Sequence, residues 1–166
     1  MPEAVAHEVA EVARETMEKL AFVFALDEPA AASPPTDPEH RVQVAFRGPR
    51  RGMLEVALSA GALPELAANM LGVENPSELS ADERTDALRE LANVICGNLL
   101  PRLFGENAEF TLGTPVALRE DAPEGAGGAA ADCRLALENG ACRVRLFLEG
   151  GGLPGGGGRA EEGAAS

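Results

Sequence analysis

The sequence predicts an α+β fold in which helices pack on one side of an antiparallel sheet. Segments with helical apolar spacing carry cap and stop signals. Other segments alternate apolar and polar residues in pairs, with turn residues between them. Runs of strands separated from runs of helices belong to this layered class. The 166 residues suit one domain with tails, and a 45% hydrophobic content suffices for a core. All the aromatics are Phe, so that core is built mainly from aliphatic side chains.

From Pro2 to about Leu26 the chain reads as a helix. Val5, Val9, Val12, Leu20 and Phe24 recur at three- and four-residue spacing, with Ala13 and Met17 on the flank and a row of glutamates on the wet side. Four prolines between Asp27 and Glu39 make that stretch a loop. Val42, Val44 and Phe46 form one alternating strand and Leu54, Val56 and Leu58 a second. Gly48-Pro49-Arg50-Arg51 turns between them as an antiparallel hairpin. Pro64 to Leu71 is a short helix, begun by a proline suited to a first turn and stopped by Gly72.

Ser80 followed by Glu83 spells a capping box, so a helix is expected from Asp82 to about Leu100, where Pro101 ends or kinks it. Phe110 to Val116 reads as extended. Cys133 to Glu149 reads as a second hairpin centred on Asn139-Gly140, pairing Leu137 with Cys142, Leu135 with Val144 and Cys133 with Leu146. Its outer face carries Arg134, Arg143 and Arg145, with Arg134 opposite Arg145. Acidic neighbours in the same chain are the expected compensation. The division is thus one domain over 1–149 and a disordered Gly-rich tail over 150–166.

A formal charge of −13 argues against a nucleic-acid binder and against docking on an anionic membrane. Three cysteines without a C-x-x-C spacing argue against a disulfide framework and against a zinc site. Cys96 is expected to be a half-buried, inert thiol. No basic stretch precedes an apolar run at the N-terminus, and the longest apolar run is Leu20 to Leu26. The expectation is a soluble, reduced, cytoplasmic chain. The Gly-rich run from Gly150 lacks the Lys-Ser/Thr of a phosphate-binding loop.

On a helical wheel with Asp86 at zero, Glu90 falls near ~40°, Asn93 near ~−20° and Gly97 near ~20°. Leu88, Leu91, Ile95 and Leu99 fall on the opposite side, between ~140° and ~220°. The helix therefore packs by Leu and Ile and turns Asp86, Glu90, Asn93 and Gly97 outward. Gly97 costs about 1 kcal/mol relative to Ala in a helix interior, and its lack of bulk lets another backbone approach. The same stripe is also what a solvated face looks like, and wheel geometry alone does not separate the two.

Glu90-Leu-Ala-Asn93-Val-Ile-Cys-Gly97-Asn98 resembles the signature helix of the CheX-type chemotaxis phosphatases, relatives of CheC and FliY. Leu66 to Glu74 resembles the short helix before it in that family, and Phe110 to Val116 the strand after it. The resemblance implies a CheC/CheX-like fold and a phosphatase acting on a phosphorylated, CheY-like receiver domain. It implies that Asn93 orients the attacking water and that Glu90 pairs with a lysine in the receiver pocket, while Asp86 and Gly97 belong to the docking face. It needs no cofactor on this chain, Mg²⁺ being expected on the receiver, and it implies a homodimer. Glu65 and Asn69 are four apart rather than three, so no second site is carried onto them; helix start and surface polarity are their expected roles. The alternatives are a non-catalytic receiver-binding module of the same fold and a structural domain whose Glu-x-x-Asn stripe is only solvated.

Overall fold

The computed structural model describes residues 2–26, 39–119 and 128–150. Its elements run α1 (Pro2–Ala21), β1 (Glu39–Arg47), β2 (Gly52–Ser59), α2 (Leu63–Leu71), a single 3-10 turn (Pro76–Glu78), α3 (Ala81–Phe104), β3 (Thr111–Leu112), β4 (Val116–Ala117), β5 (Ala131–Leu137) and β6 (Gly140–Leu148). The strands form one antiparallel sheet in the order β3-β1-β2-β6-β5, with β4 also pairing β1. This is the α+β class that the patterning predicts.

One face of the sheet is apolar because the alternation of each strand is in phase with its neighbours. Val42, Val56 and Val144 lie in a row across β1, β2 and β6, and all three are buried. Val9, Val12, Ala13 and Met17 of α1 and Leu88, Leu91, Ile95 and Leu99 of α3 close over this face and complete a single main core.

The outer face is polar yet partly closed. Glu55 on β2 is 1% exposed. Arg145 of β6 donates to its Oε2 at 2.7 Å, Gln43 of β1 donates to Oε1 at 3.3 Å, and Arg41 Nη1 lies 3.7 Å from Oε2. The basic residues of the last hairpin are compensated from within the chain. Arg143 makes two bonds to Asp132, at 3.0 and 2.7 Å, and Arg134 lies 3.7 Å from Glu39. The Arg143 bonds hold the Asp132 carboxyl below its ordinary value.

Several expectations need correction. The first helix stops at Ala21 rather than Leu26. Phe22 turns to φ 53°, and the Phe22 and Val23 N–H groups bond back to the carbonyls of Glu18 and Met17. Asn69 then donates to the Ala21 carbonyl at 2.8 Å, so its role is to cap α1 rather than to supply surface polarity. Phe24 consequently leaves the apolar face and is 61% exposed, while Ala13 and Met17, expected on the flank, lie at the centre. Glu39, expected in the loop, begins β1; the rest of that loop, 27–38, lies outside the described residues, as does 151–166 of the tail.

Phe110 to Val116 is not one strand. It yields two two-residue strands on β1, separated where Gly113 donates to Ala45 and Pro115 has no N–H to give. The last hairpin turns at Glu138-Asn139, so Leu137 faces Gly140, Leu135 faces Cys142 and Cys133 faces Val144. This register differs by two residues from the expected one, and Arg134 stands opposite Arg143, not Arg145. The apolar face survives because side chains alternate with period two. Gly140 is spent on a close approach instead of the turn. A β-carbon there would lie 2.5 Å from Ser59 Cβ, and Ser59 Oγ accepts from Ala141 N–H and donates to Ala141 C=O.

Candidate functional site

The site is built on α3. Ser80 Oγ accepts the Glu83 N–H at 3.0 Å and Glu83 Oε1 accepts the Ser80 N–H at 2.9 Å, forming the expected capping box. Asp82 and Glu83 place negative charge at the positive end of the helix dipole. The helix then packs against α1, α2, β1, β2 and β4. Leu88, Leu91, Ile95 and Leu99 are buried as expected, and Ala92, Cys96 and Leu100 join them. Cys96 is therefore fully buried rather than half-buried, and burial pushes its thiol up to about 12. The same cause raises Cys133 to about 11 and Cys142 to about 12, which leaves no reactive thiolate among the three.

The opposite side of α3 is open. Asp86, Glu90 and Gly97 are exposed, and Asn93 is half-buried between them. Asp86 accepts a hydrogen bond from Arg89 one turn along, so its charge is partly satisfied on its own helix. Among the described residues, Glu90 and Asn93 make no side-chain hydrogen bond or ion pair with their own chain. A β-carbon at Gly97 would meet nothing within 4 Å. The arrangement offers a carboxylate and an amide one turn apart, beside a stretch of backbone that no side chain shields. Such a face can pair with a cation, and it can hold a water by donating to it and accepting from it.

The residue that sequence reasoning misread is Pro101, expected to end or kink the helix. The helix passes through it to Phe104, and Gly105 N–H bonds to the Pro101 carbonyl at 2.9 Å. Packing explains the extension. Leu99, Leu100, Leu103 and Phe104 all contact the core, and the Phe104 ring meets Phe110 at a centroid distance of 5.4 Å. Tertiary contact thus outweighs the poor helix propensity of proline. The apolar spacing of Leu99, Leu100, Leu103 and Phe104 was the available signal.

Among the described residues, no group of three or more His, Cys, Asp or Glu is arranged to hold a metal ion. Nor, among the described residues, is any helix long and apolar enough to cross a membrane.

No curated protein matches this chain. Solved structures do. A CheC-like superfamily protein from Shewanella sp. PV-4 superposes with a TM-score of 0.69 at 18% identity, covering 90% of this chain and 100% of that one. The chemotaxis protein CheX from Vibrio vulnificus gives 0.68 at 19% identity, covering 87% and 96%. The CheX–CheY–BeF3–Mg²⁺ complex from Borrelia burgdorferi gives 0.65 at 14% identity, covering 86% and 96%. These likenesses establish the fold as CheC/CheX-like. The family model of the chemotaxis phosphatase CheX matches residues 41–127, a span that runs from Arg41 within β1 through β4 and takes in the whole of α3. By that match the chain belongs to the CheX chemotaxis phosphatase family.

Proposed function

We propose that this chain dephosphorylates a CheY-like receiver domain, with Asn93 orienting the attacking water and Glu90 fixing the dock. The observation that carries the reading is the outward face of α3. It holds an exposed carboxylate and an amide one turn apart, both without partners among the described residues. The Borrelia relative supports the choice of partner, being a CheX in complex with CheY, BeF3 and Mg²⁺. In such complexes BeF3 stands in for the phosphoryl group on the receiver's aspartate.

The chemistry asks little of this chain. Water oxygen bonds to phosphorus, the bond from phosphorus to the aspartyl oxygen breaks, and the electron pair leaves with the carboxylate. The products are a free aspartate and inorganic phosphate, which takes up or releases the proton with solvent. A carboxylate is already a good leaving group, and the receiver's own Mg²⁺ offsets the phosphoryl charge. A positioned water is what remains to be supplied. The Asn93 amide can accept from and donate to that water without being consumed, as a positioning glutamine does in GTPases. Glu90, one turn earlier, pairs with a basic side chain of the receiver pocket and sets the register. Asp86, Gly97, a homodimeric state and a cytoplasmic setting belong to the same reading.

The test is phosphate release from CheY-like receiver domains of the same genome, phosphorylated by a small acyl phosphate. Asn93→Ala is expected to lower kcat by about 100-fold while leaving receiver binding intact, because orientation rather than affinity is lost. Glu90→Ala is expected to raise KM and weaken binding. Full activity in Asn93→Ala removes the assignment. Binding by the wild-type chain without release favours the non-catalytic module instead.

A further inference from the structure

Proline has no amide hydrogen, so the carbonyl four residues before it in a helix loses its donor. In α3 that carbonyl belongs to Gly97, and because the helix continues to Phe104 the orphaned acceptor sits inside the helix rather than at its frayed end. Gly97 is exposed, with no neighbour within 4 Å of where a side chain would begin. Gly97 and Pro101 fall near ~20° and ~60° on the wheel, within the stripe that carries Glu90 and Asn93. Glycine and proline are the two least favourable residues for a helix interior. Here they stand one turn apart on the face that the sheet and the other helices leave open. Packing does not ask for the glycine, since the space beside it is empty. Together the pair removes the N–H that would occupy this carbonyl and the side chain that would stand beside it.

Resting on the receiver-docking reading above, we infer that the Gly97 carbonyl is a second docking contact, accepting a hydrogen bond from an N–H of the phosphorylated receiver domain. It is a positioning group and does not touch the reacting atoms. Its value lies in where it stands. Glu90 is three residues before Asn93 and Gly97 four after it, about 4.5 Å and about 6 Å along the helix axis. A single ion pair at Glu90 leaves the helix free to pivot. A directional bond on the other side of Asn93 removes that freedom and holds the amide against the water.

Pro101→Ala tests this by restoring the missing N–H, which then occupies the Gly97 carbonyl. The variant is expected to melt at a higher temperature than the wild type. It is nevertheless expected to bind a CheY-like receiver loaded with BeF3 and Mg²⁺ three- to tenfold more weakly, on the order of one hydrogen bond. In phosphate release KM rises by about the same factor while kcat holds. A second measurement reads the carbonyl directly. Gly97-Asn98 is the sole Gly-Asn peptide in the chain, so ¹³C-carbonyl glycine with ¹⁵N asparagine gives one HNCO peak. That peak is expected to move in its carbonyl dimension when the receiver is added to the wild type, and to move less in Pro101→Ala. Equal affinity of the two proteins with an unmoved peak overturns the inference while receiver docking stands. Failure of the wild type to bind overturns the docking reading and this inference with it.

Discussion

Glu55 shows how one residue can be buried by its partners instead of by apolar packing. It points to the face of the sheet away from the helices, yet is 1% exposed because Arg41, Gln43 and Arg145 from the two flanking strands fold over it. Arg41 and Arg145 are each 8% exposed, so removal of the carboxylate leaves two nearly buried guanidiniums without the charge between them. Glu55→Ala is therefore expected to lose about 3–5 kcal/mol in urea unfolding. A loss under about 1 kcal/mol would show that water reaches this face more freely than the burial implies. The alternation of β2 marks Glu55 as outward-facing. The bracket around it depends on which residues of β1 and β6 stand opposite, Gln43 and Arg145, and that is a matter of register.

Helix α3 carries its start in its own sequence and its end in its surroundings. The capping box uses only Ser80 and Glu83, four consecutive positions, so it is readable without a fold. Ser80→Ala is expected to cost about 1 kcal/mol in thermal or urea unfolding, with Ser80→Asp close to neutral because it can accept the same N–H. An unchanged midpoint in Ser80→Ala would mean that packing against α2 alone holds the first turn. The C-terminal end behaves differently: Pro101 reads locally as a stop, but Leu103 and Phe104 beyond it pack on the core and the helix goes on. The same contrast holds for α1. Its spacing runs on through Leu26, whereas Phe22 at positive φ and the Asn69 bond to Ala21 end it at a place set by α2. For the last hairpin, local chemistry at Asn139-Gly140 competes with the fit of Gly140 against Ser59, and the contact with β2 prevails.

At the scale of the molecule, β2 lies between β1 and β6 and under α3, and its outward side chains Glu55, Ala57 and Ser59 are themselves buried. Hydrogen exchange is expected to be slowest at Val56 of β2 and Val144 of β6. It is expected to be fastest at Phe24 and Ala25, between the bonded amides of Val23 and Leu26, and in the two-residue strands β3 and β4. Equal rates for Val56 and Thr111 would contradict the strand order. The division of labour follows from this layout: one face of α3 is spent on the core and the other, with Glu90, Asn93 and Gly97, is left to a partner. What the chain dictates locally is the identity of most elements, the apolar side of each, the cap of α3 and the outward stripe, because periodicity and capping act within a few residues. Where α1 and α3 stop, which residues face each other in the last hairpin, and how Glu55 is enclosed follow from contacts between segments far apart in sequence. Only the folded chain brings those together, and their packing energies exceed the local preferences they override.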